Sequence, residues 1–193
     1  MFVLANNVLI EVWAVWILFY AYWWIASGRV KRTERRESAA SRISYMIVTI
    51  AAFMLLFVSR ARVGFLGWRF IALSLAIEYA GLGVTVAGAL FAVWARLIIG
   101  RNWSSAVTIK QDHELIRQGP YAFLRHPIYS GILLMVLGTA ITIGEVRGLI
   151  AFALAFLGFR MKSLVEERFM AEQFGGQYAD YQRHVKALIP FLY

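Results

Sequence analysis

The sequence predicts an all-α integral membrane protein with five transmembrane helices, the last two of which form a helical hairpin. Of its 193 residues, 61% are hydrophobic and 16% are charged, and the mean hydropathy is +0.64. A water-soluble domain of this size normally carries more charge. The apolar residues fall in long runs, as membrane helices require, and not in the short alternating segments of an outer-membrane barrel. Cysteine is absent, which excludes thiolate catalysis and cysteine-ligated metals, and we predict no metal site.

Three of the predicted helices lie in the N-terminal half of the chain. The first run, Val8–Ala26, ends in a cluster of Trp and Tyr residues that is typical of a membrane interface. The second run, Ile43–Val58, carries no charge. The third run, Phe70–Ala95, is long enough to span with a tilt, and it contains Glu78 and several small residues that allow close helix packing. We expect residues 1–95 to form a three-helix transmembrane region.

The other two predicted helices form the hairpin. The fourth run covers about Pro127–Gly144, and Glu145–Gly148 is a polar break. The fifth run, Leu149–Phe159, is too short to cross a bilayer alone. We therefore expect its helix to begin near the break and to continue through Arg160–Glu172. Residues 96–193 then combine a loop, the hairpin and C-terminal helices.

The distribution of charge predicts the orientation. The net charge is +9, and the first loop, Ser27–Arg42, has six Lys and Arg residues against three in the second loop. The positive-inside rule therefore places the first loop and the C-terminus in the cytosol and the N-terminus outside. Two polar stretches, Arg96–His126 and Arg160–Tyr193, then lie on the cytoplasmic side, where we expect a site. Attraction to anionic membrane lipids accounts for the basic charge, and no nucleic-acid partner is predicted.

The first polar stretch ends in a motif that starts a helix. A turn at Gly119 and Pro120 is followed by Arg125–Tyr129. Because proline at the first position of a helix costs no hydrogen bond, Pro127 predicts that His126 lies at the N-terminal cap. The free N–H groups of such an end favour an anionic group, for example a ligand carboxylate. The alternative is that the motif only starts a helix at the interface.

The second polar stretch places a cation beside a carboxylate. If it continues the fifth helix, Lys162 and Glu166 lie four residues apart on one face. Such a pair can hold a zwitterionic ligand, although an ordinary solvated ion pair has the same spacing. After the glycines at 175–176, Tyr178 and Tyr181 fall on one stripe. Structural packing is the default interpretation of that stripe, and the alternative is that it covers the site.

These motifs form an ordered series along the C-terminal half. They are Arg101–Ser104, His113–Ile116, Gly119–Tyr121, Arg125–Gly131, Glu166–Glu167, Phe174–Tyr178 and Leu188–Pro190. Together they resemble the isoprenylcysteine carboxyl methyltransferase family, including its short prokaryotic members, over roughly Leu97–Pro190. The Arg-His-Pro-x-Tyr motif and the Glu-Glu pair also occur, in related form, in phospholipid N-methyltransferases and in some membrane sterol reductases.

The resemblance implies a cytoplasmic C-terminal catalytic region that uses S-adenosylmethionine as its cofactor. The residues in the family's cofactor-binding positions are His113, Glu114, Leu115, Ile116, Tyr121, His126, Pro127, Ile128, Tyr129 and Glu166. A family arginine on the acceptor side is replaced by Lys162, which the resemblance marks as the catalytic residue. Arg160 could substitute for that arginine only if the helix turned differently.

The implied reaction is carboxyl O-methylation of an isoprenylcysteine-type acceptor, a lipid or a prenylated small molecule or peptide. Arginine can donate two parallel hydrogen bonds to a carboxylate, whereas lysine presents a single point charge. The replacement at Lys162 therefore bears on the identity of the acceptor. Three alternatives stay open: phospholipid N-methylation, NADPH-dependent reduction of the sterol type, and a non-enzymatic membrane scaffold that has kept the fold.

Overall fold

The computed structural model describes residues 5–28, 33–104, 106–110 and 114–189. Their helices are α1 (Ala5–Ser27), α2 (Ala39–Phe57), α3 (Leu75–Ile99), α4 (Pro127–Ile143), α5 (Val146–Phe174) and α6 (Gly176–His184). Two short strands that the all-α prediction did not include, β1 (Thr33–Arg36) and β2 (Thr108–Lys110), pair antiparallel. The sheet joins the α1–α2 connection to the α3–α4 connection, so both lie at one end of the bundle.

The helical membrane architecture is confirmed. Within the described residues, α1, α2, α3 and α5 are each long and apolar enough to cross a membrane. Helix α4 is apolar but has 17 residues, about 25 Å at 1.5 Å per residue, which falls short of a hydrocarbon core of about 30 Å. Only Gly144 and Glu145 separate α4 from α5, and the two helices pack against each other.

The third helix begins later than the sequence predicts. We expected a start at Phe70, but α3 starts at Leu75 after the cap Ser74, whose Oγ accepts a hydrogen bond from the Ile77 N–H at 3.4 Å. The backbone N–H of Phe70 donates instead to the carbonyl oxygen of Gly144 at 3.1 Å. Pairing with the turn of the hairpin therefore replaces the first helical turn, a long-range contact that a hydropathy pattern does not record.

Helices α3 and α4 approach closely because glycines line their contact. A Cβ atom built on Gly138 of α4 would lie 2.5 Å from the carbonyl oxygen of Gly81, and one built on Gly88 of α3 would lie 2.6 Å from that of Gly131. By contrast, a Cβ on Gly83, which is exposed on α3, would meet nothing within 4 Å. Small residues at this contact let the backbones pack directly, in place of side-chain interdigitation.

The turn of the hairpin is fixed to the far end of α2. Glu145 is buried, and its carboxylate accepts from Arg62 at 3.0 Å and from Arg147 at 2.8 Å. Arg147 also donates to the carbonyl oxygen of Leu55 at 2.9 Å. These contacts define the end of the bundle that lies opposite the sheet.

The glycine contact gives a stability prediction. Substitution Gly138→Ala forces the α3 and α4 backbones apart, and overpacking of this kind costs about 1–3 kcal/mol. We expect a lower thermal unfolding midpoint for the detergent-purified protein. The matched control is Gly83→Ala, for which we expect a midpoint close to that of the wild type. Equal midpoints for both variants would contradict the packing described here.

Candidate functional site

The two polar stretches meet where α4 begins and α5 emerges beside it. His126 is the N-cap of α4, and its Nε2 lies 3.1 Å from Oε1 of Glu167. Its Nδ1 lies 3.6 Å from Oε2 of Glu166, and the Tyr129 hydroxyl donates to the same oxygen at 2.7 Å. The predicted convergence of the histidine motif with the glutamate pair is thus present in the structure.

The two glutamates have different neighbours. Arg125 donates from Nε and Nη2 to Oε1 of Glu167 at 3.0 and 2.8 Å, and Gln182 donates to the other oxygen at 3.2 Å. The side chain of Glu167 is 11% exposed, against 31% for Glu166. Glu167 therefore binds the C-terminal helix α6 to the hairpin, whereas Glu166 keeps an accessible face.

The C-terminal segment fixes the start of α4. The backbone N–H of Arg125 donates to the carbonyl oxygen of Lys186 at 2.8 Å, and that of His126 donates to Ala187 at 3.1 Å. The Ser130 hydroxyl donates to the carbonyl oxygen of Leu188 at 2.6 Å. Leu188 is the first residue of the terminal Leu-Ile-Pro motif, so the start of that motif helps to fix the position of the histidine.

The environment of His126 favours its charged form. Burial alone would lower the pKa of this imidazole, but hydrogen bonds and charge attraction from Glu166 and Glu167 outweigh burial and raise the pKa above its ordinary value.

Burial, followed by the negative charge of Glu166, raises the pKa of the Tyr121 hydroxyl well above its usual range. Tyr121 is therefore a neutral phenol, and Tyr181 donates to its carbonyl oxygen at 2.5 Å.

A cavity of about 790 Å³, counting the space that is open to solvent, lies beside these residues. We call it the α4 cavity. Its wall residues are Ile99, Asn102, Trp103, Ser104, Ala106, Thr108, Glu114, Leu115, Ile116, Tyr121, Arg125, His126, Ile128, Tyr129, Glu166, Met170, Tyr178 and Tyr181. Two polar atoms in this wall, Oδ1 of Asn102 and Oγ1 of Thr108, are buried and have no hydrogen-bond partner among the described residues. Buried polar atoms of this kind indicate a wall shaped for a polar ligand.

The structure brings most of the residues named from the sequence to this cavity. Glu114, Leu115, Ile116, Tyr121, His126, Ile128, Tyr129 and Glu166 all line it. Pro127 is buried in the first turn of α4 and is not one of the lining residues. His113 lies outside the described residues.

Other wall residues were not assigned a role from the sequence. Asn102 and Trp103 belong to the Arg101–Ser104 motif, whose function the sequence left unassigned. Tyr178 and Tyr181 pack against Met170, as the default interpretation of their stripe requires, and they also line the cavity. The spacing of the stripe left packing and covering of the site as alternatives, and in the structure the two tyrosines do both.

Lys162 lines a separate cavity, of about 920 Å³, between α2 and α5. Its Nζ lies 5.2 Å from the ring centre of Tyr129 and 5.6 Å from that of Tyr45. Tyr129 stacks on His126 with 5.4 Å between ring centres, and Ala106 lines both cavities. Tyr129 and Ala106 thus separate the α4 cavity from this second one, which we call the α2–α5 cavity.

Glu37 holds the shared wall of the two cavities. The carboxylate of Glu37 accepts from the Tyr45 hydroxyl, from Ser41 Oγ at 3.0 Å, and from the backbone N–H of Val107 at 3.1 Å. Since Val107 follows Ala106, this buried carboxylate ties the wall to α2. Of the two cations considered as the replacement for the family arginine, Lys162 lines the α2–α5 cavity and Arg160 does not.

Known proteins with similar sequences support the resemblance. A probable protein-S-isoprenylcysteine O-methyltransferase of Oryza sativa subsp. japonica is 31% identical over 119 residues, which is 60% of this chain and 62% of that protein. A protein-S-isoprenylcysteine O-methyltransferase of Tribolium castaneum is 35% identical over 115 residues, 58% of this chain and 41% of that protein. The chain thus spans less than two thirds of the length of these relatives.

The fold has a solved counterpart. The structure of a eukaryotic intramembrane Ras methyltransferase, an isoprenylcysteine carboxyl methyltransferase, matches with a TM-score of 0.56 and 27% identity. The match covers 77% of this chain and 52% of the other.

The predicted family relationship is confirmed by these matches together with a family model. The phospholipid methyltransferase model matches residues 76–177, more than half of the chain, and the matched range includes His126, Tyr129 and Glu166. The chain belongs to the phospholipid methyltransferase family.

Proposed function

We propose that this protein is an S-adenosylmethionine-dependent methyltransferase that methylates the carboxylate of an isoprenylcysteine-type acceptor in the membrane. The observation that carries the proposal is the juxtaposition of two cavities across one tyrosine ring. The α4 cavity has the polar wall that a charged cofactor needs, and the α2–α5 cavity has an apolar wall with Lys162 in it. The names of the sequence relatives support the acceptor class.

The walls of the α4 cavity suit a zwitterionic cofactor. His126 and Glu166 offer a cation and a carboxylate side by side, as the amino-acid part of S-adenosylmethionine requires. Asn102 and Thr108 supply unsatisfied polar atoms, and the aromatic wall residue Trp103 offers an apolar face. The cofactor, when bound, supplies a methyl group carried on a positive sulfur. The proposed cofactor set is completed by Glu114, Leu115, Ile116, Tyr121, Ile128 and Tyr129 of the wall, and by His113, which lies outside the described residues. Pro127 shapes the helix start.

The α2–α5 cavity suits an amphiphilic carboxylate. Its wall includes Met46 and Ile50 of α2, which are 43% and 54% exposed on the surface of a membrane helix. An acyl or prenyl chain could therefore enter sideways from the bilayer. Two basic side chains, Arg42 and Lys162, line the same cavity and favour a negative group over an ammonium. Lys162 is then the residue that holds the acceptor carboxylate.

The chain's own contribution to the reaction is alignment. A carboxylate is already nucleophilic at neutral pH, so the site needs no strong base. Holding two reactants in a productive geometry is worth about 7–11 kcal/mol in well-oriented systems. The Tyr129 ring, fixed by His126 on one side and stacked on Phe159 with 5.1 Å between ring centres, sets the boundary at which donor and acceptor meet.

The proposal includes an orientation. We place five spans in the membrane, with α4 and α5 as a helical hairpin that crosses it and with the start of α4 at the cytoplasmic face. Residues 1–95 form the transmembrane support, and residues 96–193 form the catalytic region. A soluble cofactor would then reach the α4 cavity from the cytosol.

Cofactor binding is tested by calorimetry with S-adenosylhomocysteine on detergent-purified protein. Substitution Glu166→Ala removes the partner of both His126 and Tyr129, and we expect binding to weaken by at least about tenfold, since a hydrogen bond to a charged group contributes about 1.5–3 kcal/mol. Glu172→Ala, an exposed change on the same helix, is the matched control. Tight binding by Glu166→Ala, or displacement of the ligand by NADPH, would refute this assignment.

The role of Lys162 is tested with labelled cofactor and an isoprenylcysteine acceptor. We expect Lys162→Gln to lower kcat/KM by about tenfold or more, because the acceptor carboxylate loses its counter-charge, and to leave S-adenosylhomocysteine affinity unchanged. Lys162→Arg should retain activity, and Lys186→Gln, an exposed change, is the control. A base-labile labelled product identifies a methyl ester. A base-stable methylamine would show phospholipid N-methylation instead.

The pKa of His126 gives a pH prediction. Its pKa in the folded protein is raised, so the stabilisation from its charge is fully present below its unfolded pKa of about 6.5 and is lost as the pH rises through the folded pKa. We expect the difference in thermal midpoint between wild type and His126→Gln to be larger at acidic than at alkaline pH. A difference that grows with pH would contradict the proposed charge state.

A further inference from the structure

We propose that the opposite end of the bundle holds a second site, which binds a phospholipid with a primary ammonium headgroup. A cavity of about 1160 Å³ lies between α1, the end of α2, the start of α3 and the turn of the hairpin. We call it the tip cavity, because Glu145 of the hairpin turn lines it. It is lined by none of the residues of the α4 and α2–α5 cavities, and the proposal does not depend on methyl transfer.

The first observation is a carboxylate without a donor. Glu78, in the first turn of α3, is only 6% exposed and lines the tip cavity. Its Oε2 is buried and has no hydrogen-bond partner among the described residues. An unsatisfied buried acceptor is costly, and an ionisable side chain within a membrane helix commonly marks a binding or transport site. The geometry thus points to a ligand that brings N–H donors to Glu78.

The second observation is that the neighbouring arginines pair with a different acid. Glu145 is as buried as Glu78, at 5% exposed, but Arg62 and Arg147 both pair with it, at 3.0 and 2.8 Å. Arg147 is further held by carbonyl oxygens at the end of α2. The tip cavity therefore contains one acid that pairs with two arginines and one, Glu78, with a buried oxygen that has no donor among the described residues.

The third observation is a cation at the rim. Arg69 lines the tip cavity, is exposed, and forms no salt bridge with any residue in the described part of the chain. Its backbone is fixed by a bridge to Glu145, so its position at the rim is defined. An exposed guanidinium and a buried carboxylate that line one cavity match a ligand with a phosphate near the surface and an ammonium deeper in the cavity.

The remaining walls determine the class of ligand. Leu9 and Trp13 of α1, with Phe57 of α2, line the cavity with apolar surface. A soluble phosphoamine would leave this surface uncovered, whereas a phospholipid would place an acyl chain on it. Phosphatidylethanolamine has all three parts: an acyl chain, a phosphate and an ammonium with hydrogen-bond donors. Phosphatidylcholine has the same charges, but its quaternary nitrogen donates no N–H bond to Glu78.

The test is a lipid titration of the detergent-purified full chain, read by thermal shift and by native mass spectrometry. Phosphatidylethanolamine and phosphatidylcholine with identical acyl chains are compared on wild type, Glu78→Gln, Arg69→Gln and the control Glu11→Gln, which alters an exposed membrane-helix glutamate. We expect wild type and the control to bind phosphatidylethanolamine at least about tenfold more tightly than phosphatidylcholine. Glu78→Gln should lose that preference, and Arg69→Gln should weaken both lipids.

A different result would overturn each of the three assignments: the ammonium, the phosphate and the acyl chain. Equal binding of the two lipids by wild type, or a preference that survives in Glu78→Gln, overturns the ammonium assignment. Unchanged binding of both lipids by Arg69→Gln overturns the phosphate assignment; because Arg69 is exposed, this variant tests the site without relying on a change in the core. A thermal shift with soluble glycerophosphoethanolamine equal to that with the lipid overturns the acyl-chain assignment.

Discussion

The contact of His126 with Glu166 and Glu167 determines how the hairpin fits together. The turn between α4 and α5 has only two residues, so the two helices must run back along each other. From Pro127 to the turn is about 25 Å, and from the turn to Glu166 is about 30 Å, at 1.5 Å per residue. The two distances differ by about one helical turn, so a separation of about 40 residues places the histidine and the glutamates near the same level of the hairpin.

The same contact balances charge at a place where charge is costly. Arg125 and His126 face the two carboxylates of Glu166 and Glu167, and the raised pKa of His126 favours the charged form that offsets the second carboxylate. Removing one member leaves a partly buried charge without its partner, which costs more than an intact pair contributes. The cluster also fixes α6 and the C-terminal segment, so the wall of the α4 cavity depends on residues that are far apart in the C-terminal half of the chain.

Hydrophobic runs and the family motifs predicted the features that depend on regular patterns. The hairpin, its tight turn near Gly144 and the meeting of His126 with Glu166 follow from run lengths, and the motif positions gave most of the α4 cavity. The pairing of β1 with β2 and the link from Glu37 to Tyr45 had no such signal. The strand pairing joins segments more than 70 residues apart, and the bond from Tyr45 to Glu37 buries a single polar residue. Neither feature repeats along the chain.

The acidic residues at the two ends of the bundle have similar surroundings. At each end, one glutamate pairs with arginine: Glu167 with Arg125, and Glu145 with Arg62 and Arg147. The other glutamate lines a cavity: Glu166, which His126 and Tyr129 contact, and Glu78, whose Oε2 has no hydrogen-bond partner among the described residues. A membrane bundle can retain a carboxylate only where something compensates its charge. The arginine-paired acids fix helices, and Glu78 is the acid for which we propose that a ligand supplies the missing donor.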